Sequence, residues 1–147
     1  MKKLTIIGDA DGLIAFVNPQ NTSNKQASKI LTFLDEQEAN LYFPTTVIAE
    51  SITSLVRKHA SPPLAMQIVE QCKTGSFLFI PVDEAVITTA ITFYNPEASK
   101  YNTFFDAVVA AVAKLAKADA IFSFDKWYNK QGFKITDDIL AEKKPLP

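Results

Sequence analysis

Most residue types from which enzyme sites are commonly built are scarce in these 147 residues, which hold one cysteine, one histidine, one arginine and four glycines. The lone Cys72 excludes an intramolecular disulfide and reads as a small buried apolar residue rather than a nucleophile. The lone His59 leaves Ser-His-Asp and Cys-His mechanisms with a single base and no arrangement around it. It falls on an apolar helical face and is expected in the core or at an interface. His and Cys sets of the kind Zn²⁺ prefers are absent, and so few glycines leave no glycine-rich nucleotide loop. With only Arg57, extensive bidentate clamping of phosphate has no basis. No apolar run approaches the roughly 18 residues of a membrane span. The start MKKLTIIGDA reaches acids before any secretory core, so a soluble cytoplasmic chain is expected. Neither sign of charge dominates: 15 Lys and Arg face 16 Asp and Glu, a net charge of −1. Bulk charge therefore gives no support to a nucleic-acid partner, although a local patch stays open.

What is present is an ordinary soluble composition, 48% hydrophobic and 21% charged, with no repeat or long linker. One domain over residues 1–147 is expected, large enough to bury one sizeable core. The short apolar runs LTII (4–7), LYF (41–43), FLFIPV (77–82), IFSF (121–124) and FKIT (133–136) are continuous enough for buried strands. Helical spacing lies between them. After Pro44, which suits a first helical turn, Ile48, Ile52, Leu55 and His59 share a face. After Asp83, a plausible N-cap, Val86, Ala90 and Tyr94 form a stripe, and from Thr103 so do Phe105, Val108, Val109 and Val112. This alternation predicts an α/β domain of three layers, a parallel sheet covered by helices on both faces.

In such a sheet, helix starts and strand ends meet at one edge, where ligands bind. Asp35, Glu36, Glu38, Glu70 and Asp119 come late in helices or just before strands and belong at the opposite edge. Asp9 and Asp11 after the first strand, Glu50 early in its helix, Asp106 and Asp125 all fall at the ligand edge, with Asp83, Glu84, Asp137 and Asp138. Carboxylates converging there take up protons, spread apart or share a cation. All-oxygen ligation suits Mg²⁺ or Mn²⁺, ions that support phosphodiester cleavage. Each acid also has an ordinary reading. Thr103-Phe-Phe-Asp106 matches a capping box, Asp125 could cap KWYNKQ, Glu50 could be a solvated helical residue near Arg57 or Lys58, and Asp9 or Asp11 could start the helix GLIAFV. Trp127 and Tyr128 could stack on a base, although packing is the commoner use of such aromatics.

The pattern resembles the PIN domain, the nuclease fold of VapC-type toxins, over nearly the whole chain. IIGDADGLIAF is similar to the family's opening strand, aspartate and small-residue turn; FPTTVIAESITSLVRK resembles its helix with an embedded glutamate. FFDAVVAAVAKLAKADAIFSFDKWYNKQGFKI is the most specific part, resembling the Asp-Ala helix, an alanine-rich stretch, a strand ending in Thr/Ser-x-Asp, a short helix and a last strand. The resemblance implies acidic-site roles for Asp9, Glu50, Asp106 and Asp125, with Ser123 as the hydroxyl that helps hold the site. It also implies a five-stranded parallel sheet, Mg²⁺- or Mn²⁺-dependent endoribonuclease activity, frequent dimers and, for toxins, a small antitoxin partner. Asp11 stands where the family usually has Ser, Thr or Asn, so it could add a ligand or shift the cation. Lys126, Lys130, Arg57 and Lys58 are candidates for phosphate contact.

Two rivals share these residues. Asp9-Ala10-Asp11-Gly12-Leu13 also looks like the haloacid-dehalogenase phosphatase signature, with Asp137 and Asp138 as a later acidic motif. Against it, Ser123 lies too close to Asp137 for the usual lysine-bearing crossover between them, which needs at least about ten residues plus its strands. The other rival is a PIN fold that binds RNA or a partner without cutting.

Overall fold

The computed structural model describes residues 2–98 and 101–143 of the chain. Four parallel strands, β1 (Thr5–Gly8), β2 (Asn40–Pro44), β3 (Leu78–Ile80) and β4 (Ala120–Phe122), form a sheet in the order β3-β2-β1-β4. Side chains of a strand alternate between faces. Ile7 and Ile121 therefore enter one core with helices α3 (Thr45–Arg57), α4 (Pro62–Lys73), α5 (Glu84–Ile91) and α6 (Phe104–Leu115), while Ile6, Ala120 and Phe122 enter the other with α2 (Asn24–Glu36) and α8 (Thr136–Lys143). Burial on both faces explains why the two central strands read as unbroken apolar runs. The three-layer α/β expectation holds.

The sheet has four strands among the described residues, where five were expected. FKIT contributes a single bridge, Ile121 to Ile135. The physical reason lies in the next residues: the Ile135 amide donates to Asp138 Oδ2 at 2.8 Å, in the first turn of α8. That hydrogen bond closes the first turn of α8, and the chain turns into a helix after one pairing.

Three finer expectations are also corrected. α3 stops at Arg57; the His59 amide folds back on the Ser54 carbonyl and Ala60 takes φ 47°, so His59 is an exposed turn residue rather than part of an apolar face. Pro44 ends β2 and caps α3 instead of lying in its first turn. Phe105 and Tyr94 are 46% and 42% exposed, outside the stripes assigned to them. In α6 every residue from Ala107 to Ala113 is buried, which small Ala and Val side chains permit for a helix enclosed on all sides. Cys72 is partly buried, and burial pushes its thiol pKa up, against a nucleophilic role. No helix among the described residues is long and apolar enough to cross a membrane.

The strand order matters for function. The chain winds from β1 outward to β3 and then returns to the other side of β1 as β4. The direction of winding reverses between β1 and β4, and in open α/β sheets the crevice beyond the carboxyl ends at such a point receives ligands.

Candidate functional site at the carboxyl edge of the sheet

Asp9 follows β1 directly and caps α1 (Ala10–Val17), its Oδ1 accepting from the Ala10 amide at 2.6 Å. Its own amide donates to the Phe122 carbonyl at 3.1 Å, which ties the end of β1 to the end of β4. Helix α1 can lie this close to β4 because of Gly12: a Cβ there would collide with the Phe122 carbonyl oxygen. The first turn of α1 thus rests on backbone, and Asp11 reaches across to accept from the Phe124 amide at 2.8 Å.

Ser123, fully buried just past β4, sits between the two aspartates. Its Oγ lies 3.2 Å from Asp9 Oδ2 and 3.1 Å from Asp11 Oδ2 while accepting from the Asp125 amide at 3.1 Å. One hydroxyl proton serves one carboxylate at a time, so Asp9 and Asp11 compete for it. Tyr128 supplies a second donor, its hydroxyl 2.9 Å from Asp9 Oδ2. Because Tyr128 is wholly buried, it cannot stack on a base.

The capping box read for Asp106 is present, whereas the short helix after Asp125 takes Lys126, not Asp125, as its N-cap. Asp106 Oδ2 accepts from the Thr103 amide at 3.0 Å in the capping box of α6, with the Asn102 amide nitrogen at 3.4 Å. Asp125 Oδ1 accepts from the Trp127 amide at 2.9 Å at the start of α7 (Trp127–Lys130), and its Oδ2 accepts from Asn102 Nδ2 at 2.9 Å. Asp106 keeps its Oδ1 without a hydrogen-bond partner among the described residues, whereas both Asp125 oxygens accept one. Glu50, half-buried on the second turn of α3, makes no hydrogen bond with any of them.

Asp9, Asp11, Glu50, Asp106 and Asp125 line one open cavity of about 500 Å³, with Lys58 at its wall. A larger cavity of about 610 Å³ lies elsewhere against Phe16, Met66 and Phe77, and its mostly apolar lining holds a single acid, Glu70, in place of five. Of the four candidate cations for phosphate, Lys58 alone lines the acidic cavity; Arg57, Lys126 and Lys130 are exposed and do not line it.

The carboxylates perturb one another. Burial raises the pKa of Asp9 well above the usual range, reinforced by Asp106, Asp11 and Glu50 and opposed by the Tyr128 hydrogen bond. Burial and then Asp106 push Glu50 up to about 7, with Lys58 pulling the other way. Burial raises Asp106 too; the Thr103 amide lowers it, and Asp125 and Asp11 add to the rise. This all-oxygen donor set, with charges that penalise each other, fits a hard divalent cation in its chemistry. As the side chains stand, no three of the described acids are close enough together to hold one ion. Protonation and separation are the alternatives to a shared cation, and the raised pKa values mark the first of them.

Asp137 and Asp138 take no part. Asp137 accepts from Gln26 Nε2 at 2.7 Å and Asp138 from Asn129 Nδ2 at 2.8 Å, away from the cavity. The later acidic motif of the phosphatase reading is therefore structural, Asp137 holding Gln26 and Asp138 closing the first turn of α8. Reasoning from sequence missed Tyr128 as a partner of Asp9 and Asn102 as the link between Asp106 and Asp125. Tyr128 followed the Ser-x-Asp stretch at a readable spacing, but only burial shows that its hydroxyl turns inward; Asn102 carried no signal.

The fold and site define an α/β protein with a carboxylate cluster at the switch point of a parallel sheet. The family model of the PIN domain matches residues 8–134, and the chain belongs to that family. In fold it is similar to the crystal structure of VapC20 from Mycobacterium tuberculosis, a sarcin-ricin loop cleaving toxin, with a TM-score of 0.75 at 17% identity over 87% of this chain and 95% of that one. It is also similar to PAE2754 from Pyrobaculum aerophilum, with a TM-score of 0.60 at 17% identity over 95% of this chain and 88% of the other. No curated protein matches it in sequence.

Proposed function

We propose that this chain is a metal-dependent endoribonuclease acting on single-stranded or looped RNA. One observation carries the reading: five carboxylates from α1, α3, α6 and the loop after β4 line one cavity, and burial together with neighbouring carboxylates raises the pKa of three of them, Asp9, Glu50 and Asp106. Asp9, Asp106 and Asp125 would hold Mg²⁺ or Mn²⁺, with Glu50 as a further ligand or as the group that orients the attacking water. When bound, such an ion supplies polarisation of the phosphoryl oxygen and neutralises the acidic edge for a polyanion.

The chain's own residues do the rest. Tyr128 fixes Asp9 by a hydrogen bond to Oδ2, and Ser123 holds Asp9 and Asp11 about its one hydroxyl proton. Asn102 fixes Asp125 relative to Asp106. Glu50, pushed up to about 7 and without a hydrogen-bond partner among the described residues, is matched to accepting a proton from water near neutral pH. Lys58 places a positive charge where the substrate phosphate would approach.

The toxin reading rests on likeness of fold to VapC20. It adds a small antitoxin, a homodimer and a cytoplasmic site of action to the proposal. Growth arrest on expression alone, relieved by the product of a small adjacent gene, tests it. A second reading, a binding module without cleavage, draws on the spacing of the acids, no three of which close on a common point. RNA incubated with the protein after EDTA treatment and then with added Mn²⁺ decides between them. Cleavage restored by Mn²⁺ and lost in Asp106→Asn supports the nuclease; affinity for RNA without cleavage in any divalent ion supports the module.

A further inference from the structure

A second cavity, of about 230 Å³, adjoins the acidic one and is assigned no role by the chemistry above. Its walls come from the turn after α5, from the start of α6 and from α7. Phe93, Tyr94 and Trp127 supply aromatic surface; Asn102, Thr103 and Gln131 supply polar groups. The volume is below the roughly 300 Å³ at which drug-sized pockets begin, enough for one flat ring system and part of what it is attached to.

Each of the three rings is braced by another outside the cavity. Tyr94 lies 5.4 Å from Phe104, Phe93 5.7 Å from Phe133, and Trp127 5.2 Å from Tyr128, measured between ring centroids. Supported in this way, the rings hold their positions without a ligand, and a guest entering between them does not have to order them first. The half-buried Gln131 side-chain amide makes no hydrogen bond with any described residue, so a donor and an acceptor on one group are available to a guest's edge.

The two cavities share a wall. Thr103 lines both, and Asn102, on the aromatic side, donates to Asp125 Oδ2 at 2.9 Å. Trp127 is tied to Asp125 as well, through its amide at 2.9 Å. A group bound beside Asp106 and Asp125 therefore has its nearest neighbour at the mouth of the aromatic cavity. Stacking on aromatic rings combined with hydrogen bonds to a base edge is how proteins read unpaired RNA.

We infer that this cavity receives one unstacked nucleobase next to the scissile phosphodiester, and that Gln131 reads its edge and sets base preference there. The inference rests on the nuclease reading for the word scissile, but binding of a base does not.

Trp127 is the only tryptophan, so its emission reports on the cavity alone. Titration of the full chain with adenosine, cytidine, guanosine and uridine, which carry no phosphate and need no metal, should quench Trp127 saturably in the millimolar range, with one nucleoside favoured. Gln131→Leu should reduce that preference about tenfold while leaving the quench itself. In a randomised RNA, the same variant should relax base choice at one position beside the cut. No saturable response from any nucleoside, or a preference unchanged in Gln131→Leu, overturns the inference. RNA cleavage without a Trp127 response would retain the nuclease and remove the base pocket; a response in a chain that cuts nothing would do the reverse.

Discussion

The Tyr128 hydroxyl donates to Asp9 Oδ2 across 2.9 Å in a region closed to solvent, joining the first acid of the chain to a side chain 119 residues later. This hydrogen bond opposes the rise in Asp9 pKa that burial and the neighbouring carboxylates produce. A ligand must be deprotonated to bind a cation, so the tyrosine lowers the pH at which Asp9 becomes competent. In Tyr128→Phe, the acid limb of the pH profile for Mn²⁺-supported cleavage should move to higher pH. Stability should fall by about 1–3 kcal/mol from the lost buried hydrogen bond. A drop in stability with the acid limb unmoved would reduce Tyr128 to packing.

Asp11 is a latch before it is a ligand. Its Oδ2 accepts from the Phe124 amide and lies within reach of Ser123. Asn retains an acceptor for that amide and removes a charge from the crowd. Asp11→Asn should therefore keep its fold and most of its activity, whereas Asp11→Ala should lose about 1–3 kcal/mol by leaving the amide unpaired. Urea unfolding and initial rates of RNA cleavage on the two variants check both parts. Loss of activity in Asp11→Asn equal to that in Asp106→Asn would make Asp11 a principal ligand.

Gly12→Ala reverses an ordinary rule. In a helix interior Ala is favoured over Gly by roughly 0.8–1 kcal/mol. At this position the new Cβ meets the Phe122 carbonyl, a backbone atom that cannot move aside alone. The substitution should destabilise the protein by about 1–3 kcal/mol and weaken the hold of α1 on β4. Denaturant titration gives the sign; a gain in stability would mean that α1 is free to shift.

The pH dependence of the metal-free protein follows from the direction of the shifts. Glu50 rises from an ordinary 4.5 to about 7, and Asp9 and Asp106 also rise. A carboxyl with a raised folded pKa keeps its proton when the unfolded chain has released it, so the folded state binds more protons and stability falls as pH increases. Their contribution is fullest below the unfolded value and is lost between about pH 4.5 and 7 for Glu50. The metal-free melting temperature should therefore be higher near pH 5 than near pH 8. Glu50→Gln should flatten this slope, and saturating Mn²⁺ should raise the melting temperature most at the alkaline end. A slope of the opposite sign in differential scanning calorimetry would contradict the crowding of these acids.

The edge of the sheet was readable because helix starts and strand ends obey a geometric rule, and of the nine acids assigned to the ligand edge five line one cavity, while Asp83, Glu84, Asp137 and Asp138 do not. β1 and β4 were readable because their residues are buried on both faces, whereas β3 was read from an apolar run although Leu78 and Phe79 are exposed. FKIT has the same apolar look, yet it pairs at one residue only, because the chain turns into α8 at Thr136 with Asp138 accepting from the Ile135 amide. His59 continued a helical period on paper, but the stop depended on the turn at Ala60, whose left-handed backbone carries no glycine to announce it. Tyr128 and Asn102 gain their roles only through contacts across the fold, and a local pattern does not contain these.

The most direct test of the account is calorimetric titration of the EDTA-treated, dialysed protein with Mn²⁺ near pH 7.5. Binding accompanied by proton release, and weakened at least about tenfold in both Asp9→Asn and Asp106→Asn, is the expected result. Absence of binding, or binding undiminished in both variants, would contradict the assignment of this acidic cavity as a cation site.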